Sequence, residues 1–391
     1  MGRNREEEAL AHIDEERLLA TATALVEVPS PTLEAGAAAH RLAELLDADG
    51  FVVERPVANW PTAPAVVVRH RASEGGRLLQ FDGHLDTVHL PFVGPSVVDG
   101  YLCGSGASDM KGGIAAAVEA LRALRDSDAL QEGGVLLTAH DHHEGPWGDR
   151  RQLLAMIDEG CIGDGVLLPE YLAHLLPLGG RGQAIFAVDI ERDGEPVHEV
   201  LRPPGLPDVI GTGAQFVLQM RALDERLADM QVEHVGRESA FVGRVESGQI
   251  FNQSPVRCRI EGTRRWVRPG AVDAVRTEFD GILAELAERS GTRLSVSEWE
   301  VTGDAFRIRE EDPLVEAFQS AHSRVVGRAL PVGAKPFVDD GNHFVARGGI
   351  TALTHGPAGL GAHTTEERVA VAELVRVARV YALTALRFCA P

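Results

Sequence analysis

The sequence predicts an α/β protein with a larger domain on a mostly parallel sheet and a smaller α+β domain inserted into it. The chain has 391 residues, which is more than one ordinary core accommodates. Apolar strand-like runs alternate with helical runs up to about residue 179. Between residues 180 and 303 the order becomes β-α-β-β-α-β. We therefore predict one domain over 1–179 and 304–391, and an inserted domain over 180–303.

The elements of the larger domain follow from the spacing of apolar residues. Two helices come first, one ending near Glu27 and one over 37–48. Strands and helices then alternate, with strands at 65–70, 77–84, 134–140 and 165–170 and helices at 112–124 and 150–159. After Pro313 the α/β pattern resumes with a helix to Val326, an apolar run at 350–356 and a closing helix at 371–388.

The inserted domain is predicted to be ferredoxin-like. Its elements in chain order are the strand AIFAVDIER, a helix at 211–228, the strands SGQIF and VRCRIEGTRRW, a helix at 271–289 and the strand RLSVSEWEV. This succession of two β-α-β halves is typical of that fold.

Composition excludes several classes of partner. The net charge of -20 argues against nucleic acid and anionic membrane, since both require a basic surface. No apolar run is long enough to span a membrane, and the acidic N-terminus is not a signal peptide. The four cysteines form no CxxC pair, as expected of reduced thiols. We expect a cytoplasmic protein.

Two motifs at the ends of predicted elements indicate a cation site. An apolar strand ends in His84-Leu85-Asp86, which places an imidazole and a carboxylate on one side of an extended backbone. A glycine-rich turn then presents Asp109 at the start of a helix. A phosphate-binding loop is a competing interpretation, but Lys111 is not in the Walker spacing. A simple helix N-cap remains an alternative for Asp109.

Three further motifs extend the cluster. The run from His140 to Gly145 follows a predicted buried strand and contains five side chains that can ligate or titrate. Glu170 closes another apolar run, and His363 lies in a glycine-rich segment near the C-terminus. Trp147 follows the first of these motifs and is interpreted as a pocket or core residue. Mixed imidazole and carboxylate ligands suit Zn²⁺, and a shared aspartate can bridge two metal ions.

These motifs resemble those of the co-catalytic dizinc peptidases and deacylases, which include carboxypeptidase G, aminoacylase-1, acetylornithine deacetylase and succinyl-diaminopimelate desuccinylase. The resemblance rests on the His84 motif, the Gly-x-Gly-x-x-Asp-Met-Lys-Gly-Gly run around Asp109 and the late motif around His363. It implies two zinc ions per chain, with Co²⁺ or Mn²⁺ as substitutes. One ion would be held by His84, Asp109 and Glu170, and the other by Asp109, Glu144 and His363.

The resemblance also implies roles outside the ligand set. Asp86 would orient His84, and the inserted domain would serve as a lid or in homodimerisation. His198 would stabilise the oxyanion, and Asn252 would bind substrate. Either Arg264 or Arg265 would bind a substrate carboxylate, for which a guanidinium is well suited.

The chain departs from the family at one position. The family has two adjacent glutamates after the third strand, the general base and a ligand, and here the pair is His143-Glu144. Histidine is a common general base near neutral pH, so His143 is our candidate for that role. Three alternatives stay open: His142 or Asp141 acts as the base, the reaction is not simple amide hydrolysis, or His143 is a metal ligand.

The predicted function is zinc-dependent hydrolysis of the amide bond of an N-acyl amino acid or small peptide-like substrate carrying a carboxylate. The alternative in another enzyme class is metal-dependent acyl transfer, condensation or elimination on the same scaffold. A non-catalytic binding protein is the third interpretation, and the five predicted ligands argue against it because paired buried charges are costly to retain.

Overall fold

The computed structural model describes residues 2–146 and 148–390. Trp147, the pocket or core residue of the sequence interpretation, lies outside the described residues. The chain divides into two compact units. The first unit comprises Met1–Leu178, Ile308–Gly333 and Asp339–Pro391, and the second comprises Gly179–Arg307 and Ala334–Val338.

The first unit is built on a six-stranded mixed sheet. Its spatial order is Val53–Glu54, Val66–Arg71, Gly134–His140, Leu78–His84, Gly165–Leu168 and Thr351–Thr354. The last four strands run parallel, whereas the first two are antiparallel to their neighbours. The prediction of a mostly parallel sheet therefore holds only for those four. The connection over residues 72–77 contains no helix, so the chain reverses direction there instead of crossing over.

Helices complete the first unit. They are Gly2–Ala11, Glu15–Val26, Gly36–Ala48, Lys111–Asp126, Arg151–Asp158, Pro313–Val326, Gly341–Ala346 and Val371–Cys389. The predicted single N-terminal helix is interrupted, because the Asp14 side chain accepts a hydrogen bond from the Arg17 N–H and starts a new helix. Helix Lys111–Asp126 is buried from Lys111 to Leu124 and packs against the closing helix. Each buried leucine or valine there contributes about 1.5–3 kcal/mol to folding.

A small four-stranded sheet positions two loops of the first unit. Its order is Gly359–Leu360, Arg368–Ala370, Tyr101–Cys103 and Ser96–Val98. Arg368 pairs with Cys103, so the chain after Cys103 starts beside the hairpin that carries His363. Two further short strands, Leu176–Pro177 and Val332–Gly333, pair in parallel.

The second unit has a four-stranded antiparallel sheet in the order Ser239–Ser247, Arg257–Trp266, Gly182–Glu191 and Arg293–Gly303. With helices Val209–Leu227 and Val272–Ser290 its chain order is β-α-β-β-α-β. The core includes Phe186, Phe216 and Phe279, whose rings are in contact. The predicted strand SGQIF is a turn after Ser247, because Gly248 adopts a positive φ of 76°.

The remaining elements of the second unit are short. They are the 3₁₀ helix Glu199–Leu201 and the paired strands Gly179–Gly180 with Phe306–Arg307, Val197–His198 with Gln253–Ser254, and Gln231–Val232 with Gly236–Arg237. Among residues 2–146 and 148–390, no helix has the length and apolar character required to cross a membrane.

Candidate metal centre

The polar motifs gather at the carboxyl edge of the parallel strands. His84 ends its strand and pairs in register with His140, which ends the neighbouring strand. Glu144 follows His140 by four residues, and Glu170 follows the strand Gly165–Leu168 by two. Open α/β sheets bind ligands at this edge. The backbone thus brings three separate sequence motifs to one place.

The Asp109 loop is held in place by a buried carboxylate, that of Glu367. One oxygen of Glu367 accepts hydrogen bonds from the N–H groups of Ser108 and Asp109 at 2.8 Å, and the other accepts from Gly106 at 2.8 Å. Gly106 has a φ of 82°, and a β-carbon there would lie 3.0 Å from the Lys111 side chain. A glycine is therefore required for this turn.

The five residues predicted as ligands converge on Asp109. Its Oδ1 lies 3.3 Å from His84 Nε2, and its Oδ2 lies 3.1 Å from His363 Nε2. Glu144 Oε1 is 3.1 Å from His363 Nε2, and Glu170 Oε1 is 3.9 Å from His84 Nε2. Asp109 therefore has one oxygen facing each of two ligand groups.

The donor atoms fit a divalent metal ion. The Nε2 atom of His84 is buried and has no hydrogen-bond partner among the described residues. Its Nδ1 lies 2.9 Å from the carbonyl of Asp86, to which it donates, so the lone pair on Nε2 points at the carboxylates. Donors of one tetrahedral zinc site lie about 3.3–3.6 Å apart, close to the separations found here.

The electrostatics of the cluster favour positive charge. Burial raises the pKa of the Glu170 carboxyl well above its usual range, and the charge of Asp109 adds to this. Burial also acts to raise the pKa of Asp109, but the neighbouring imidazoles of His363 and His84 outweigh it and hold that pKa well below its ordinary value. Hydrogen bonds with Asp109 and Glu144 raise the pKa of His363 to about 10. A bound cation satisfies the same carboxylates.

The structure gives Asp86 a different contact from the one expected. Its carbonyl oxygen, and not its carboxylate, lies at hydrogen-bond distance from His84 Nδ1; the nearest carboxylate oxygen is 3.8 Å away. The carboxylate instead accepts hydrogen bonds from the N–H groups of His143 at 3.1 Å and Glu144 at 2.8 Å. Asp86 thus holds the loop that carries the predicted ligand Glu144.

His143 is buried beside the predicted ligands, and its ring is held on two sides. Its Nδ1 lies 2.7 Å from Asp340 Oδ2, and its ring stacks on His84 with centroids 4.0 Å apart and planes 7° from parallel. Donor atoms of His84, His143 and Glu170 lie within 4.8 Å of one another. However, each imidazole lone pair lies in its own ring plane, and one ion cannot lie in both of two stacked planes. This arrangement disfavours His143 as a second ligand of the ion at His84.

The other two candidates for the base have different partners. The Asp141 carboxylate accepts hydrogen bonds from the N–H groups of Leu33 and Ala35. The His142 ring packs edge-on against Trp60 at 4.2 Å. Among the contacts of the described residues, neither side chain touches any of the five predicted ligands. His143 therefore remains the candidate for the general base.

Sequence reasoning missed two buried acids behind His143, Asp82 and Asp340, and the role of Glu367. Asp340 Oδ2 lies 3.4 Å from His140 Nε2, which is 3.3 Å from Asp82 Oδ2. Donor atoms of Asp82, His140 and Asp340 lie within 4.8 Å of one another. In the sequence, the only indication was the pair of acids Asp339 and Asp340 before a glycine. A single sequence does not show that Asp340 contacts His143.

In the second unit, His198 and Asn252 lie together. The strands that carry them are paired, and His198 Nε2 is 3.1 Å from the Asn252 side-chain nitrogen. His198 is exposed, as is the neighbouring Phe251. Two residues selected from separate motifs are thus one polar pair on this unit.

The two adjacent arginines have different environments. Arg264 is buried and forms ion pairs with Glu238 at 2.7 Å and Glu278 at 3.1 Å. The Nη1 atom of Arg265 is buried without a hydrogen-bond partner among the described residues. Burial, together with the charge of Arg181, lowers the pKa of Arg265 to about 10. Two acids already pair with the Arg264 guanidinium, although its Nε also lacks a hydrogen-bond partner among the described residues, whereas no ion pair involves Arg265 there. Arg265 is therefore the better candidate to receive an anion.

Comparison with known proteins gives a consistent assignment. A protein-family model described as Peptidase family M20/M25/M40 matches residues 81–387. A succinyl-diaminopimelate desuccinylase of Methylorubrum extorquens is 28% identical over 385 residues, covering 93% of this chain and 96% of that protein. The protein of the same name from Methylobacterium sp. (strain 4-46) is 29% identical over 386 residues, with 93% and 94% covered.

Solved structures share the fold. The aminopeptidase PepT from Bacillus cereus ATCC 10987 superposes with a TM-score of 0.79 at 21% identity, covering 96% of this chain and 99% of that one. The metallo-carboxypeptidase Sso-CP2 from Sulfolobus solfataricus gives a TM-score of 0.74 at 15% identity, covering 95% and 99%.

Proposed function

The chain belongs to Peptidase family M20/M25/M40, and on this premise we propose that it is a dizinc deacylase that hydrolyses the amide bond of an N-acyl amino acid. The observation that carries the proposal is Asp109, whose two carboxylate oxygens face His84 at 3.3 Å and His363 at 3.1 Å. The relatives that align over 93% of the chain are named as desuccinylases. Deacylation is therefore preferred to peptide cleavage.

The proposed ligands of the first zinc are His84, Asp109 and Glu170, and those of the second are Asp109, Glu144 and His363. When bound, zinc ions polarise the scissile carbonyl and acidify a water molecule. Co²⁺ and Mn²⁺ are proposed substitutes, because nitrogen and oxygen donors accept several divalent ions.

His143 is proposed to move the protons. Its Nδ1 lies 2.7 Å from Asp340 Oδ2. With the proton on Nδ1, the lone pair on Nε2 is free to accept the proton of the attacking water. The protonated ring then donates from Nε2 to the leaving amine. A glutamate performs these steps in the resembling enzymes, and a neutral imidazole has the same capacity near pH 7.

Residues of the second unit are proposed to act on substrate. His198, positioned against Asn252, would stabilise the oxyanion of the tetrahedral intermediate. Arg265 is proposed to bind the substrate carboxylate, in preference to Arg264, because the Arg264 guanidinium is already paired with Glu238 and Glu278.

We also propose a cytoplasmic homodimer. The strand Ser239–Ser247 is an edge of its sheet, and the apolar side chains Phe241, Val245 and Leu218 are exposed on that strand and the adjoining helix. Unpaired strand edges with exposed apolar groups favour pairing between copies. The four free cysteines suit a reducing compartment.

The test is turnover of N-succinyl-L,L-diaminopimelate, N-acetyl amino acids and a tripeptide by zinc-loaded protein in H₂¹⁸O. We expect release of a free amine, with ¹⁸O in the new carboxylate. A product without ¹⁸O would favour acyl transfer, condensation or elimination instead. Chelated protein and His84→Ala are the controls, and full activity in either would contradict the proposal.

A further inference from the structure

The buried contact between His143 and Asp340 has no counterpart among the predicted site residues. The Nδ1–Oδ2 distance is 2.7 Å, and the two residues are 197 positions apart in the chain. We propose that Asp340 is a positioning residue that keeps the proton of His143 on Nδ1 and thereby directs its Nε2 lone pair towards the metal ligands. The inference rests on the proposed function, in which Nε2 is the proton acceptor.

The need for such a residue follows from the histidine itself. A carboxylate base has two equivalent oxygens, whereas a neutral imidazole has one donor and one acceptor nitrogen and exists as two tautomers. In the wrong tautomer Nε2 carries a proton and cannot accept one. A carboxylate on Nδ1 selects the useful tautomer, as in the Ser-His-Asp triad.

Two independent contacts define the orientation of the ring. Stacking on His84, with planes 7° apart, sets the plane of the ring. The hydrogen bond to Asp340 selects one of the two ring orientations that share this plane and differ by a 180° flip about the Cβ–Cγ bond. Nε2 is then directed to the ligand side, where it lies 3.6 Å from Glu170 Oε1. Without the hydrogen bond, a flipped ring would keep the same plane but place Cε1 where Nε2 now lies.

Asp340 is itself surrounded by buried charged groups. It is 1% exposed, and its Oδ2 also lies 3.4 Å from His140 Nε2, while Arg150 Nε lies 3.7 Å from Oδ1. The His140 Nδ1 lies 3.0 Å from the carbonyl of Asp141, so its Nε2 faces the two acids Asp82 and Asp340. These neighbouring positive charges favour the ionised carboxylate that accepts from His143, while its Oδ1 has no hydrogen-bond partner among the described residues.

The first test is the tautomer of His143, read from side-chain ¹⁵N shifts of zinc-loaded, histidine-labelled protein near pH 8.5. His143→Gln identifies the resonance. We expect the proton on Nδ1 in the unchanged protein and a shift of population to Nε2–H in Asp340→Ala. Asp82→Asn is the matched control, since it removes a buried carboxylate that contacts His140 and not His143. A proton on Nε2 in the unchanged protein, or no change in Asp340→Ala, would overturn the proposal.

The second test is a double-mutant cycle on the preferred substrate of the panel. Asp340→Ala should lower kcat about 10²-fold with KM and zinc content retained, and Asp340→Asn, which keeps an acceptor oxygen and the volume, should recover part of the loss. In the His143→Gln background the same changes should have no further effect. Equal losses in both backgrounds would mean that Asp340 does not act through His143.

The two tests separate this inference from the proposed function. If no amide in the panel is hydrolysed, the proposed function fails, and the tautomer measurement still decides the role of Asp340. If Asp340→Ala does not fold, the Asp340→Asn variant is used in both measurements. A Nδ1–H population in Asp340→Asn equal to that of Asp82→Asn, together with an equal kcat, would then contradict the inference.

Discussion

The candidate residues of the two units differ in how they are held. In the first unit the carboxylates near Asp109 are buried, and further buried groups hold the loops that carry them, as Glu367 does for Asp109. In the second unit His198 is exposed and contacts Asn252. Concentrated buried charge therefore requires a supporting layer of polar residues, whereas an exposed polar pair does not. Substitutions of the predicted ligands in the first unit should alter metal binding, whereas substitutions of the exposed pair His198 and Asn252 should alter substrate handling alone.

The largest expected effect is that of Asp109→Asn. An amide cannot supply one anionic oxygen to each of two ions, so bound zinc should fall below one ion per chain and turnover should become undetectable. Elemental analysis of gel-filtered protein and the amide assay measure the two losses. Asp99→Asn is a matched control on an exposed turn with a φ of 50° and should retain both. Retention of two ions in Asp109→Asn would remove the basis for a bridging carboxylate.

The second prediction contrasts Arg264 with Arg265. Removing Arg264 leaves Glu238 as an unpaired buried charge, so Arg264→Ala should lower the free energy of unfolding by about 3–5 kcal/mol. Arg265→Ala removes no ion pair and should raise KM about tenfold or more with stability nearly unchanged. Thermal denaturation and steady-state kinetics separate the two. The reverse pattern would assign substrate binding to Arg264.

The central sheet and the convergence of five polar motifs could be predicted because both depend on local signals. Apolar runs indicate strands, and a polar residue at the end of each run indicates the carboxyl edge. His84, Glu144 and Glu170 follow this rule. The antiparallel direction of Val66–Arg71 could also have been inferred, since the connection that follows it is too short for a crossover.

The supporting residues could not be predicted because their contacts are distant in sequence. Asp340 meets His143 across 197 residues and Glu367 meets Asp109 across 258. Nothing in a local window separates a buried acid of this kind from an exposed one. Glu366 and Glu367 are adjacent in the chain, yet only Glu367 is buried. Similarly, Arg264 and Arg265 are adjacent in the chain, and only the structure shows that Arg264 pairs with Glu238 and Glu278.

The third prediction uses that pair of glutamates. Glu367→Ala removes the acceptor of the Gly106, Ser108 and Asp109 N–H groups, so zinc affinity should fall about 10–100-fold, the usual cost of losing a residue that orients a ligand. Glu366→Ala is the matched control and should bind zinc normally. Competition titration with a zinc chelator gives both affinities. Equal affinities in the two variants would show that the Asp109 loop holds its shape without Glu367.

The smallest expected effect is a change in the number of protons released when zinc binds. It distinguishes a substitution in the first unit from one in the second. Hydrogen bonds with Asp109 and Glu144 raise the pKa of His363 to about 10 in the metal-free protein, so at pH 7–8 this ring carries a proton that a metal ion must displace. Zinc affinity should therefore rise with pH up to that pKa, on the order of tenfold per unit for each displaced proton.

Calorimetry in buffers of different ionisation enthalpy counts the protons released. His363→Ala should reduce the count by about one, whereas His198→Ala should leave it unchanged because metal binding in the first unit is not expected to involve an exposed histidine of the second. An equal reduction in both variants would mean that His198 also exchanges a proton when metal binds, and the assignment of metal binding to the first unit alone would have to be abandoned.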